Sequence, residues 1–163
     1  MTRLRQPERK VLDTLVAAIT GNMTIDDLAD ADLAYAPPFS TALDPLTHAA
    51  NTLRNKSDGM LKTYTPLEVL EKVRNGEDFI LLDVRSPEET QRDGRLPFSN
   101  VTNIPLGALW EKGACLPKDR EIVTFCKISV RGWDALSILR SHGIEKVAIL
   151  ETGIAGWPFQ LDA

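Results

Sequence analysis

The run Phe79-Ile80-Leu81-Leu82-Asp83-Val84 is apolar at every position but one, with no alternation between apolar and polar residues. A segment this short and this uniformly apolar fits a strand covered on both faces, the condition of a central strand in a parallel sheet. Further short strands are expected at Val101 to Ile104, Ile122-Val123-Thr124-Phe125 and Val147-Ala148-Ile149-Leu150. Helix signals stand between them. Thr65-Pro66-Leu67-Glu68 is a capping box with proline in the first turn, predicting a helix to about Arg74, and Ser86-Pro87-Glu88-Glu89 opens another. A third helix is expected from about Arg131 to Ser141, closed by His142-Gly143. Strands alternating with helices over residues 64–163 specify an α/β architecture, a mostly parallel sheet flanked by helices.

The preceding residues follow a different pattern. Leu12, Leu15, Val16 and Ile19 fall at helical spacing, and Gly21-Asn22 can end that helix. Thr24 and Asp27 resemble a capping box opening a short helix through Leu28. The pair Pro37-Pro38 forbids helix around it. Asp44-Pro45 places an N-cap before a first-turn proline, and Leu46, Ala49, Ala50 and Leu53 make an apolar stripe. We therefore expect a helical arm over residues 1–53 and a linker over 54–63, where Arg54-Asn55-Lys56-Ser57-Asp58-Gly59 is polar and unpatterned. About sixty residues bury little surface by themselves, so the apolar faces of this arm are expected to pack on the rest of the chain or on a second subunit.

Composition narrows the function classes. The 19 Lys and Arg against 23 Asp and Glu give a net charge of −4, which argues against a general attraction to nucleic acid. No apolar run approaches the roughly 18–20 residues of a membrane span. Two cysteines, Cys115 and Cys126, and two histidines, His48 and His142, offer neither a disulfide framework nor a zinc set. No Gly-x-Gly-x-x-Gly phosphate loop is present, so no nucleotide cofactor is expected. Glu8 and Asp13 interrupt the stretch that an export signal would need to keep apolar, and the chain is read as cytoplasmic with reduced thiols.

Chemistry concentrates where the strand Ile122–Phe125 gives way to a helix. In open α/β sheets, ligands sit beyond the carboxyl ends of the strands. Here that position holds Cys126-Lys127-Ile128-Ser129-Val130-Arg131-Gly132. A thiol before a helix N-terminus meets unpaired backbone N–H groups and the positive end of the helix dipole, which together with Lys127 and Arg131 favour the thiolate. The same cradle can hold an anion. A cysteine ending a strand is more often a packing residue, and the two flanking cations are what favour a nucleophile. Asp83 ends the neighbouring strand. It can be read as a base, or as a carboxylate fixing nearby loops with Arg85 as its partner.

Several stretches in register resemble the rhodanese-like sulfurtransferases. Leu81-Leu82-Asp83-Val84-Arg85-Ser86-Pro87-Glu88-Glu89 is similar to that family's strand-to-helix signature. Gly94-Arg95-Leu96-Pro97 with Asn103-Ile104-Pro105-Leu106, the loop Cys126 to Gly132, and the closing Gly153-Ile154-Ala155-Gly156-Trp157-Pro158 match it in order. The resemblance runs from about Tyr64 to the C-terminus. Met23 to Leu28, Leu33 to Ser40 and Asp44-Pro45-Leu46 resemble the end of the dimerisation domain of flavin-dependent coenzyme A-disulfide reductases, some of which continue into a rhodanese domain. Since the flavin and nucleotide domains are missing here, the chain resembles the tail of such an enzyme, either as an independent protein or as an excised piece.

The resemblance implies sulfur transfer. Cys126 takes the outer sulfur of a donor such as thiosulfate and becomes a persulfide, which a thiol or cyanide then discharges. It implies that Lys127, Ile128, Ser129, Val130, Arg131 and Gly132 bind the substrate, with Arg131 on the anionic donor, while Asp83 and Arg85 support the loop. The six residues from Cys126 to Arg131 are the loop size of the sulfurtransferases; the related phosphatases use one more. Ser129 stands where related domains often have glycine, so a positive φ there would strain it. Arg95 replaces a usual histidine. The implied partners are a small sulfur donor, a thiol acceptor, a second copy bound through residues 1–53, and a flavin-dependent reductase. The alternative is a rhodanese-fold interaction or sulfur-carrier module with little turnover.

Overall fold

Two successive units, Met1–Leu61 and Lys62–Ala163, make up the chain. The structure, a computed structural model, describes residues 6–34 and 43–162. The Pro37-Pro38 turn lies outside the described residues.

The first unit contains three described helices, α1 (Gln6–Thr20), α2 (Ile25–Ala29) and α3 (Pro45–Ser57). The expected caps are in place. Thr24 and Asp27 close a reciprocal capping box on α2, and the Asp44 side chain accepts from the Leu46 N–H at the start of α3. Helix α2 packs on α3, and Arg54 joins them through Asp30 at 2.9 Å. One expectation needs correction. Arg54-Asn55-Lys56-Ser57 is not linker but the last turn of α3, with Asp58 as its C-cap. Its polarity marks a solvated helix end, where Arg54 and Lys56 complement the helix dipole. The α1 stripe is also less buried than its spacing suggests: Leu12, Val16 and Ile19 are 46%, 62% and 67% exposed.

The second unit is a five-stranded sheet in the order β1-β5-β4-β2-β3, with every pair parallel. The strands are β1 (Thr63–Tyr64), β2 (Phe79–Asp83), β3 (Val101–Asn103), β4 (Glu121–Phe125) and β5 (Val147–Leu150). Helices α4 (Pro66–Arg74), α5 (Pro87–Asp93), α6 (Leu109–Lys112) and α7 (Val130–Ser141) occupy the connections, and Gly113–Cys115 forms a 3-10 turn. Every residue of β2 is buried, as its nearly unbroken apolar run requires. One face of the sheet carries Phe79, Leu81, Val123, Phe125, Ala148 and Leu150 in a core with Val69 of α4 and with Trp157, whose ring meets Phe98 and Phe159 edge-on. The other face carries Thr124 and Ile149, onto which α7 packs closely: a Cβ on Gly132 would lie 3.2 Å from Ile149 and 3.5 Å from Thr124. Among the described residues, no helix is long and apolar enough to cross a membrane.

This strand order fixes where a site can form. From β2 the chain moves outward to β3, and from β4 it moves the other way to β5. The crevice between the carboxyl ends of β2 and β4 is therefore the switch point of the sheet. Asp83 and Phe125 are paired in register there, so the residues that follow them, Val84 and Cys126, lie side by side at its mouth.

Candidate functional site

Cys126 follows β4 directly and is 1% exposed. The loop after it is anchored through its carbonyls. Ile154 N–H donates to the Cys126 carbonyl at 3.0 Å and Ala155 N–H to that of Lys127 at 2.9 Å. Gly153 makes this approach possible: it adopts φ +57°, and a Cβ there would stand 2.3 Å from the Cys126 carbonyl oxygen and 2.7 Å from that of Lys127. With these carbonyls engaged, the first N–H groups of α7 remain without intrahelical acceptors beside the loop. The Thr124 hydroxyl, donating to the Gly132 carbonyl at 3.0 Å, pins that helix start to β4.

Ser129 adopts φ +68°, the left-handed conformation that strains a residue other than glycine. Its hydroxyl donates to the Leu150 carbonyl, a bond glycine could not make, and this ties the loop to the end of β5. Ile128 and Val130 are 62% and 63% exposed and form an apolar rim on the loop.

Both loop cations meet carboxylates of α5. Arg131 donates to Glu89 through two bonds of 2.7 Å each. Lys127 lies 3.2 Å from Asp93. The Arg131 guanidinium is held charged beyond its ordinary range, first by its bonds to Glu89 and, against desolvation, by Cys126 beside it. Glu89 is in turn pulled down to about 2, chiefly by Arg131 and then by the Ser86 N–H. Asp93 is also lowered, through Arg92 first and Lys127 second. These acidic partners were not identified from sequence. The available signal was spacing: Glu89 and Asp93 stand four apart on a short helix and so share one face.

Asp83 and Arg85 belong to the scaffold. They are 2% and 0% exposed, and the guanidinium grips the carboxylate at 2.6–3.1 Å while donating to the Gly94 carbonyl at 2.9 Å. Asn103 donates to the carbonyls of both residues at 2.9 Å, closing the turn after β2. The carboxylate is engaged on both oxygens, Oδ1 also accepting the Arg85 N–H at 3.0 Å. Cys115 is exposed on the 3-10 turn Gly113–Cys115. Among the described residues, no group of three or more His, Cys, Asp or Glu is placed to hold a metal ion. Two clefts of about 570 and 500 Å3 lie elsewhere, one lined by Phe79, Asn100 and Arg120, the other by Asp83, Arg95 and Asp162, and the Cys126 loop lines neither.

Comparison with known proteins agrees with this architecture. Residues 65–158 match the rhodanese-like domain family. A sulfurtransferase of Allochromatium vinosum is 29% identical over 87 residues, covering 53% of this chain and 78% of the relative. Two solved structures match over 91% of this chain and so extend into the helical arm: the reduced CoADR-RHD of Bacillus anthracis, at 34% identity and TM-score 0.81, and an NAD-dependent persulfide reductase from A. fulgidus, at 44% identity and TM-score 0.75. This chain spans about a quarter of the length of each, 26% and 25%.

Proposed function

The chain belongs to the rhodanese-like domain family, and from that premise we propose that it is a sulfurtransferase working through a persulfide on Cys126. The Cys126 thiolate attacks the outer sulfur of a donor such as thiosulfate; a sulfur–sulfur bond forms at Cys126, the one in the donor breaks, and its electron pair leaves with sulfite. A thiol or cyanide then attacks the terminal sulfur and restores the thiolate. Free N–H groups at the start of α7 stabilise the charged sulfur, and Arg131, Lys127 and the backbone from Ile128 to Gly132 form the wall of the site. One observation carries this reading: a cysteine at the switch point of the sheet, ahead of a helix N-terminus, with a guanidinium beside it.

Intact-protein mass after brief exposure to thiosulfate tests it. Wild type should gain about one sulfur atom, lose it to cyanide or dithiothreitol, and Cys126→Ser should gain none. A folded, reduced wild type that takes up no sulfur from any sulfane donor would sink the reading.

Association is a second function of the same chain, favoured by the exposed Leu12, Val16 and Ile19 on α1. Residues 1–53 pair two copies or hold a flavin-dependent reductase that supplies or consumes the persulfide. Light scattering should give a dimer at micromolar concentration. A monomer there, with no change on adding such a reductase, counts against it.

A further inference from the structure

The loop around Cys126 has two cations, yet it presents little uncompensated positive charge. Arg131 spends two N–H groups on the two oxygens of Glu89, and Lys127 faces Asp93. Glu89 is not a mobile surface carboxylate. It is the third residue of α5, and its Oε2 also accepts the Ser86 N–H at 3.1 Å while the Glu89 N–H donates to the Ser86 hydroxyl at 3.3 Å. The ion pair is partly shielded, with side chains 34% and 22% exposed. The residues standing free at the rim, Ile128 and Val130, are apolar. A dianion entering this site must compete with a fixed carboxylate for Arg131, whereas a singly charged donor with an apolar body needs less positive charge and gains contact with the rim.

From this we infer that Glu89 is a positioning residue that sets donor specificity: by holding Arg131 it makes the site favour a singly charged sulfane donor with an apolar body over the thiosulfate dianion. The inference rests on the sulfurtransferase reading. The step is the same for both donors. Cys126 sulfur bonds to the outer sulfur, and the donor releases sulfite from thiosulfate, or the aryl sulfinate from an aryl thiosulfonate, carrying the electron pair of the broken sulfur–sulfur bond.

The test compares kcat/KM for thiosulfate and benzenethiosulfonate, with cyanide as acceptor, in the full chain. Glu89→Gln removes the charge but keeps an oxygen that can cap α5. It should shift the ratio toward thiosulfate by roughly five- to tenfold, mainly through a lower KM, with a smaller change for benzenethiosulfonate. In an Arg131→Gln background the same substitution should shift the ratio no further, because the residue acts through Arg131. Asp93→Asn, releasing Lys127, should move the ratio the same way by a smaller factor, and it decides the matter if Glu89→Gln does not fold. An unchanged ratio in folded variants that still load sulfur overturns the role of Glu89. Wild type that loads from neither donor removes the sulfurtransferase reading, and this inference with it.

Discussion

The carboxyl ends of β2 and β4 are neighbours in the sheet, and each is followed by a turn holding an ion pair, but the pairs differ in what surrounds them. After β2, Asp83 and Arg85 are closed off from solvent and bonded to each other, to Gly94 and through their carbonyls to Asn103. After β4, Arg131 and Lys127 meet their carboxylates at the surface, 34% and 50% exposed, beside a buried thiol. The first arrangement is a fixture whose charges have nowhere else to go. The second stays open to solvent, as the proposed exchange of a carboxylate for a substrate requires. Burial, more than residue type, separates scaffold from site here.

The sharpest way to break this contrast is to remove one charge from each end. Asp83→Ala strands a fully buried guanidinium whose Nη1 already has no partner among the described residues. Breaking a buried pair in this way costs about 3–5 kcal/mol. Denaturant unfolding should show a large drop in midpoint with an unchanged slope, whereas Glu89→Ala at the other end should cost about 1 kcal/mol or less beyond the lost cap. Comparable losses at the two ends would mean that the β4 pair is scaffold as well.

A smaller effect is expected at the anchor of the loop. Gly153→Ala puts a methyl group against the carbonyls of Cys126 and Lys127 in a backbone conformation unfavourable to alanine. We expect a loss of about 2–3 kcal/mol, and a larger fractional fall in the rate of sulfur loading, since the bonds from Ile154 and Ala155 that hold the loop must move. A loading rate that follows wild type in the folded variant would show that these anchors do not shape the site.

What could be read from sequence divides along the same physical line. The strands β2, β4 and β5 are mostly apolar runs, and the caps at Thr24, Asp44, Thr65 and Ser86 are local chemistry, so each could be read from a few adjacent residues. The loop Cys126 to Arg131 was legible for the same reason, because the cysteine and the cations are contiguous. Strand β1 was not, since two half-buried residues carry no period and owe their strand form to pairing with Ile149 and Leu150. The end of α3 was hidden by reading polarity as a break. The partnership of Arg131 with Glu89, 42 residues away, depends on the sheet order that brings α5 to the loop. The α1 stripe shows another limit: period identifies an apolar face but not what covers it.

The smallest predicted effect separates the two ends by pH. Glu89 has its folded pKa lowered to about 2 from an ordinary value of 4.5. A carboxylate depressed in the folded state contributes stability that is fully present above its unfolded pKa and is lost as pH falls through the folded one. Its contribution should therefore fade between about pH 4.5 and 2. The pair is partly exposed, so the change should amount to less than about 1 kcal/mol. Thermal unfolding of wild type and Glu89→Gln should show a gap in Tm at pH 6 that narrows toward pH 3 and shrinks with added salt. A gap constant over that range would assign the Glu89 contribution to capping α5, an uncharged role that glutamine shares only in part, and would leave Arg131 held by something other than the carboxylate charge.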